Sequence, residues 1–232
     1  MKTAPSKPPR SQEDGHGRIL IVDDHPIFRR GIAMLLEHEE DIRIAAEAED
    51  AAQAMTMVER YSFSLVIADI SLKDVNGIEL VKSLKALKPA LPVLVLSMHD
   101  ESLYAERALR AGARGYLMKQ APPDQVVAAI RKVLSGELYL SSAANLLMLN
   151  TFVSGRGQTG KNSVESLSDR ELEIFEHLGR GLGTTRIAHD LHLSVKTVEA
   201  HRSHIKTKLG LATAPALVRA AVEWVTSRTL DG

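Results

Sequence analysis

Four short apolar runs in this chain each stop at a polar residue. Ile19-Leu20-Ile21-Val22 runs into Asp23-Asp24, Leu65-Val66-Ile67-Ala68 into Asp69, Val93-Leu94-Val95-Leu96 into Ser97, and Tyr116-Leu117-Met118 into Lys119. Runs this short, rich in branched residues and separated by helical patterns, fit parallel strands buried on both faces. An open α/β sheet binds its ligands beyond the carboxyl ends of the strands. The four strands therefore carry three carboxylates, a hydroxyl and an ammonium to one rim. Taken singly, a helix cap explains such an Asp, a turn explains Ser97, solvent explains Lys119 and a core position explains Tyr116. Their shared placement at one strand end points to a site.

From Arg18 onward, strand and helix patterns alternate five times, with residues 42–47 as the remaining strand. Pro26 suits the first position of a helix whose apolar face is Phe28, Ile32 and Leu35. Ala54, Met55 and Val58 mark a second helix, and Ile78, Val81, Leu84 and Leu87 a third, which follows the turn signal Asn76-Gly77. This alternation predicts an α/β fold, a doubly wound five-stranded parallel sheet of flavodoxin-like type, over residues 17–138. Residues 1–16, rich in Pro, Ser and charge, read as a disordered tail. Residues 139–165 read as a linker with room for a helix at 141–152, followed by glycine-rich chain. Residues 166–232 open with Ser168-Asp169-Arg170-Glu171, a capping box, and read as a small all-α domain with helices at 170–180, 185–191, 195–209 and 214–226.

The absence of cysteine excludes disulfides, cysteine-ligated zinc fingers and thiol nucleophiles, and fits a cytoplasmic protein. No apolar run approaches the roughly 18 residues of a membrane span, and the start of the chain lacks a signal-peptide core. Formal net charge is zero, so no global basic field announces nucleic acid. The basic character is local: Lys196, Arg202, Lys206 and Lys208 cluster around the single acid Glu199. None of the nine histidines forms an i, i+4 pair with a nearby acid in a ligand motif.

Asp69 at a strand end suits a nucleophile that forms an acyl phosphate. An incoming phosphate meets three carboxylates, and one like-charge pair at about 4 Å costs roughly 4 kcal/mol at an effective dielectric of 20. Phosphorylation there needs a cation. Mg²⁺ fits, with oxygen ligands from Asp23, Asp24, Asp69 and the Ser71 carbonyl. Lys119 supplies a point charge and Ser97 a hydroxyl donor to the phosphoryl group.

The pattern over residues 18–138 resembles the response-regulator receiver domain. The matching stretches are Ile19-Leu20-Ile21-Val22-Asp23-Asp24-His25-Pro26, Leu65-Val66-Ile67-Ala68-Asp69-Ile70-Ser71 and Ala111-Gly112-Ala113-Arg114-Gly115-Tyr116-Leu117-Met118-Lys119. The resemblance implies that Asp69 accepts phosphate from a sensor histidine kinase, with Mg²⁺ as cofactor. It also implies that Ser97 swings toward the phosphate and Tyr116 turns inward, and that Ser71 and His99 tune phosphate lifetime. Two positions depart from the family. Lys73 stands where Pro is usual, which implies a looser loop, and Gln120 replaces the Pro that often follows the lysine, which weakens the expectation of a cis peptide there.

In the second domain, Val198, His201, Ile205 and Leu209 gather on one side of the 195–209 helix. Lys196, Glu199, Ala200, Ser203, Lys206 and Thr207 occupy the other, a face of short and basic side chains that suits a major groove. His201 reads as a seam residue rather than a ligand. A helical bundle with a solvated charged face has the same periodicity. Residues 167–211 are similar to the LuxR-type helix-turn-helix of NarL/FixJ regulators, through Leu191-His192-Leu193-Ser194-Val195-Lys196-Thr197-Val198-Glu199-Ala200-His201-Arg202 and Lys206-Thr207-Lys208-Leu209-Gly210. That likeness implies base reading by Glu199, Ala200 and Ser203, and backbone contacts by or beside Lys196, Thr197, Arg202 and Lys206. His192 stands where glycine is common in related turns.

The combined expectation is a two-component transcription regulator that is not an enzyme with a separate substrate. Phosphorylation would control dimerisation and binding to double-stranded DNA, with RNA polymerase as a further candidate partner. A competing enzyme reading, a phosphatase using Asp69, lacks the general acid two residues on, where Ser71 stands. A regulator working without phosphate is the third reading.

Overall fold

The computed structural model describes residues 17–72, 75–153 and 163–230; side chains at 147, 150–153 and 228–230 are not described. The expectations for the tail at 1–16, the loop residue Lys73 and the glycine-rich 154–161 fall outside these residues. The chain forms two compact units that divide between Asn150 and Thr151.

The first unit alternates β1 (Gly17–Val22), α1 (Pro26–Leu35), β2 (Ile42–Ala48), α2 (Ala51–Arg60), β3 (Leu65–Ala68), α3 (Gly77–Leu87), β4 (Val93–Ser97), α4 (Glu101–Arg110), β5 (Gly115–Met118) and α5 (Pro123–Leu134). The five strands are parallel, in the order β2-β1-β3-β4-β5. Strand order reverses between β1 and β3, and the crevice beyond that switch point is where such sheets place a ligand. Ile19–Val22, β3 and β4 are buried along their length, as parallel strands covered on both faces require. Ile19, Ile21, Ile67, Leu94 and Leu117 meet Ile32, Ile130 and Val133 in one core cluster, with Phe28 and Leu35 packed against it.

Two face assignments shift. On α2 the buried set is Ala51, Ala54, Met57 and Val58, so Met57 rather than Met55 enters the core. Leu87 is exposed because α3 ends there. The packed unit also continues past residue 138. Tyr139 forms a parallel bridge with Gly115 at the free edge of β5, its carbonyl accepts from the Tyr116 amide at 3.1 Å, and Ser141 hydrogen-bonds Glu101. An open strand edge gains partners this way. α6 (Ser142–Val153) follows, with Ala144 buried.

The second unit contains a short 3₁₀ turn (Val164–Ser166), α7 (Asp169–Gly179), α8 (Thr184–Asp190), α9 (Val195–Leu209) and α10 (Ala214–Leu230). The capping box at Ser168 and Glu171 forms as its spacing predicts, and α10 extends past residue 226. Leu172, Phe175, Ile187, Val198, Ile205, Leu217 and Ala221 are buried. The Phe175 and Trp224 rings lie 5.5 Å apart, tying α7 to α10.

Candidate phosphoacceptor site and nucleic-acid interface

The loops after β1, β3 and β5 bring Asp23, Asp69 and Lys119 together. Lys119 Nζ lies 2.5 Å from Asp23 Oδ2 and 2.7 Å from Asp69 Oδ2, with all three side chains at most 5% exposed. The ammonium also sits 4.4 Å from the centre of the Phe28 ring, a cation–π contact that holds its stem against α1. Asp69 Oδ1 is buried and takes no hydrogen bond among the described residues. Burial pushes the Asp69 carboxyl above its ordinary range; Lys119 draws it back and Asp23 raises it again. A buried carboxylate oxygen left without a partner is costly, and such an atom marks a place for a cation or a reacting group.

Asp24 stands beside them, its Oδ1 2.6 Å from His25 Nδ1. One ligand atom from each of Asp23, Asp24, His25 and Asp69 lies within 4.8 Å of the others. His25 was not anticipated as part of the cluster; its only signal was adjacency to the two acids. Arg29 was likewise missed. Buried on α1, it donates from Nη1 to the Asp23 carbonyl at 2.6 Å and from Nε to Glu47 Oε2 at 2.9 Å, anchoring the end of β1. An arginine inside an apolar helix face has no sequence signal pointing to a backbone carbonyl.

Ser71 lies on the loop after Asp69, and its hydroxyl is 2.9 Å from His99 Nε2. Ser97 ends β4 fully buried, and its Oγ accepts from the His99 amide at 3.2 Å. Tyr116 is fully buried, and its hydroxyl donates to the His99 carbonyl at 2.7 Å. His99 thus joins Ser71, Ser97 and Tyr116. Its ring lies 4.6 Å from that of Tyr104. The peptide after Lys119 is trans, as no cis bond occurs among the described residues.

Asn76 and Gly77 do more than turn the chain. Asn76 caps α3 by accepting from the Ile78 amide at 2.9 Å, and the Gly77 amide donates to the Ile70 carbonyl at 2.7 Å. A Cβ on Gly77 would lie 1.9 Å from the Asp69 carbonyl oxygen. Only glycine permits this approach, which pins the backbone at Asp69 and Ile70.

In the second unit α8 and α9 are joined by a tight turn. His192 takes φ +52° there, the left-handed conformation that glycine favours. Ser194 caps α9, accepting from the Thr197 amide at 3.0 Å. Val198 and Ile205 are buried and His201 and Leu209 half-buried, so the predicted seam faces the unit. Lys196, Glu199, Ala200 and Ser203 are exposed along the opposite face, with Thr197, Arg202 and Lys206 half-buried beside them. Thr197, Glu199 and Arg202 are already engaged. The Thr197 hydroxyl lies 2.7 Å from Ser194 Oγ, and Arg202 Nη1 reaches the Thr184 hydroxyl and Glu199 Oε1, the latter at 2.8 Å.

Residues 19–131 match the response regulator receiver domain, and residues 165–221 match the luxR family of bacterial regulatory proteins. The chain belongs to the response regulators that join a receiver to a LuxR-type DNA-binding domain, and is a two-component transcription regulator. It is 38% identical over 210 residues to the oxygen regulatory protein NreC of Staphylococcus aureus, covering 89% of this chain and 97% of NreC. RcsB from Salmonella enterica serovar Typhimurium, solved on the rprA promoter with the phosphomimetic BeF3−, is 26% identical over 88% of this chain and 97% of its own, with a TM-score of 0.59. A structure of two RcsB dimers on two parallel DNAs matches at 26% identity, 88% and 96% coverage and a TM-score of 0.54. No helix among the described residues is long and apolar enough to cross a membrane.

Proposed function

We propose that Asp69 is the phosphoacceptor, and that its phosphorylation by a sensor histidine kinase promotes dimerisation and sequence-specific binding to double-stranded DNA. The observation that carries this reading is the buried, unpartnered Asp69 Oδ1 opposite an oxygen held by Lys119. In the transfer, a carboxylate oxygen of Asp69 forms the new P–O bond as the P–N bond of the kinase phosphohistidine breaks. Lys119 favours the anionic carboxylate, offsetting part of the cost of burying it, and then faces the phosphoryl oxygens as a point charge. Ser97 turns its hydroxyl from the His99 amide to the phosphoryl group, while Tyr116, expected to turn inward with it, is already fully buried in this structure.

The carboxylates fit Mg²⁺: Asp23, Asp24 and Asp69 offer hard oxygen donors, and the Ser71 carbonyl would extend the set with a neutral oxygen. When bound, the ion neutralises charge on the incoming phosphoryl oxygens. Ser71 stands where a phosphatase would need a general acid, and its hydroxyl is engaged by His99, which supports a regulator rather than an enzyme with its own substrate.

For DNA, we assign base reading to Glu199, Ala200 and Ser203, and phosphate contacts to Lys196, Thr197, Arg202 and Lys206. Exposure of the first three along one face of α9 supports the assignment. RcsB forms dimers on DNA; a dimer of this chain would satisfy the same symmetry, with RNA polymerase as a subsequent partner and the cytoplasm as its compartment. A shift from 1:99 to 99:1 in the DNA-competent state requires about 5.5 kcal/mol of differential stabilisation.

The test is acetyl-phosphate labelling on phosphate-affinity gels, with and without Mg²⁺, for wild type and Asp69→Ala. A retarded band that needs both Mg²⁺ and Asp69, with tighter DNA binding and a larger sedimentation coefficient, is expected. Identical DNA titrations with and without label would overturn the coupling.

A further inference from the structure

α9 carries two imidazoles that the DNA-reading face does not use. His201 and His204 stand at i and i+3, so both rings leave the same side of the helix. α7 packs against α9 and brings a carboxylate to them from Glu171. One ring nitrogen from each histidine and one Glu171 oxygen lie within 4.8 Å of one another. We propose that Glu171, His201 and His204 form a binding site for a borderline transition-metal ion of the Zn²⁺ class, clamping the first helix of the DNA-binding unit to its recognition helix.

Two imidazoles and a carboxylate are the donor set of open zinc sites, in which water completes a tetrahedron. The carboxylate is held in place before any ion arrives. Glu171 Oε2 accepts from the Ser168 amide at 2.8 Å and from Lys208 Nζ at 2.6 Å, so Oε1 is the oxygen available to a metal. Glu171 is buried, His201 half-buried and His204 exposed, which grades the site from a fixed anchor to an open gate.

Ligands bound at about 2.0–2.1 Å stand roughly 3.3 Å apart in a tetrahedron. The gap closes by a rotamer change at His204, whose exposed ring is unencumbered by the core. Lys208 and Arg170 lie beside the cluster and select against hard cations, which would gain only a single carboxylate. Nitrogen donors compensate for this repulsion with Zn²⁺, Ni²⁺, Cu²⁺ or Co²⁺ but not with Mg²⁺. The site is invisible in sequence because its donors come from two helices and the histidines lack i, i+4 spacing.

The full-length chain is titrated calorimetrically with Zn²⁺ in excess Mg²⁺, added to compete for the oxygen-rich cluster of the receiver. Wild type is expected to bind one equivalent that His204→Ala loses or holds at least about tenfold more weakly, the loss that even outer-shell changes produce at metal sites. His204→Cys, whose thiolate is also a zinc ligand, is expected to retain it and to show a sulfur-to-metal absorption band with Co²⁺. The His204 ring is exposed, so both variants keep the fold, and circular dichroism checks this. Equal Zn²⁺ uptake by wild type and His204→Ala, or a His204→Cys chain without the Co²⁺ band, would overturn the site.

Discussion

Lys119 Nζ stands 2.7 Å from Asp69 Oδ2, yet the Asp69 carboxyl remains above the 3.8 of a free aspartate. Burial raises it most, Lys119 offsets part of this, and Asp23 adds repulsion. Ionising Asp69 therefore opposes folding. Its contribution to stability is fully present below pH 3.8 and is lost as pH rises through the folded pKa. Asp69→Asn removes that loss and leaves Lys119 paired with Asp23. The variant is expected to be more stable at neutral pH, with the gap to wild type shrinking toward acid pH. Urea melts across a pH series read this directly; a pH-independent gap would rule out ionisation of the buried carboxyl as its cause.

Gly77→Ala should be among the most damaging single-methyl changes in the receiver. Alanine is the better helix former, so propensity alone predicts a gain. The added Cβ instead falls 1.9 Å from the Asp69 carbonyl oxygen and 2.7 Å from Ile70 Cα. A loss of about 1–3 kcal/mol is expected, together with slower labelling by acetyl phosphate because the Asp69 backbone must move. Denaturant midpoints and labelling rates measure the two effects separately.

At His192 a change should help. The left-handed backbone costs a non-glycine residue roughly 1–2 kcal/mol, and the added flexibility of an unfolded glycine returns about 0.5–1 of it. His192→Gly is expected to stabilise the DNA-binding unit by about 0.5–1 kcal/mol, seen as a higher melting temperature with DNA affinity unchanged.

Lys196 is exposed at the start of α9, where a phosphate contact carries no sequence information. Lys196→Ala should weaken binding to all sequences alike and lower the slope of log affinity against log salt by about 0.9. Glu199→Ala should behave differently. On the proposed base-reading role of Glu199 its loss is expected to change base preference, and because Glu199 holds Arg202 at 2.8 Å it is also expected to free a cation for the phosphates. Binding to a library of sites at two salt concentrations distinguishes the two variants.

Much of this fold is legible in the chain itself, because its strands are short branched runs and several of its helices begin or end at local signals. The Ser168–Glu171 box, Pro26 at the start of α1 and Gly210 after α9 are local signals, and each acts within one turn of chain. The strand-end residues were legible for the same reason: side-chain chemistry and strand direction already place Asp23, Asp69 and Lys119 on one rim. What escaped depends on neighbours distant in sequence. Arg29 reaching the Asp23 carbonyl and Tyr139 returning to the edge of β5 have no periodic signature, whereas Met57, three residues after Ala54, was legible in the helical period that Met55 breaks.

Sequence by itself determined the alternation of elements, the helix-turn-helix and the chemistry available at the strand ends, since these follow from local propensity and polarity. Tertiary structure decided how that chemistry is poised. It set which Asp69 oxygen meets Lys119 and which is left unpartnered, it drew Ser71, Ser97 and Tyr116 together on His99, and it brought Glu171 to His201 and His204. Each of these depends on burial and on the distance between atoms from separate elements, and both arise only when the chain has packed.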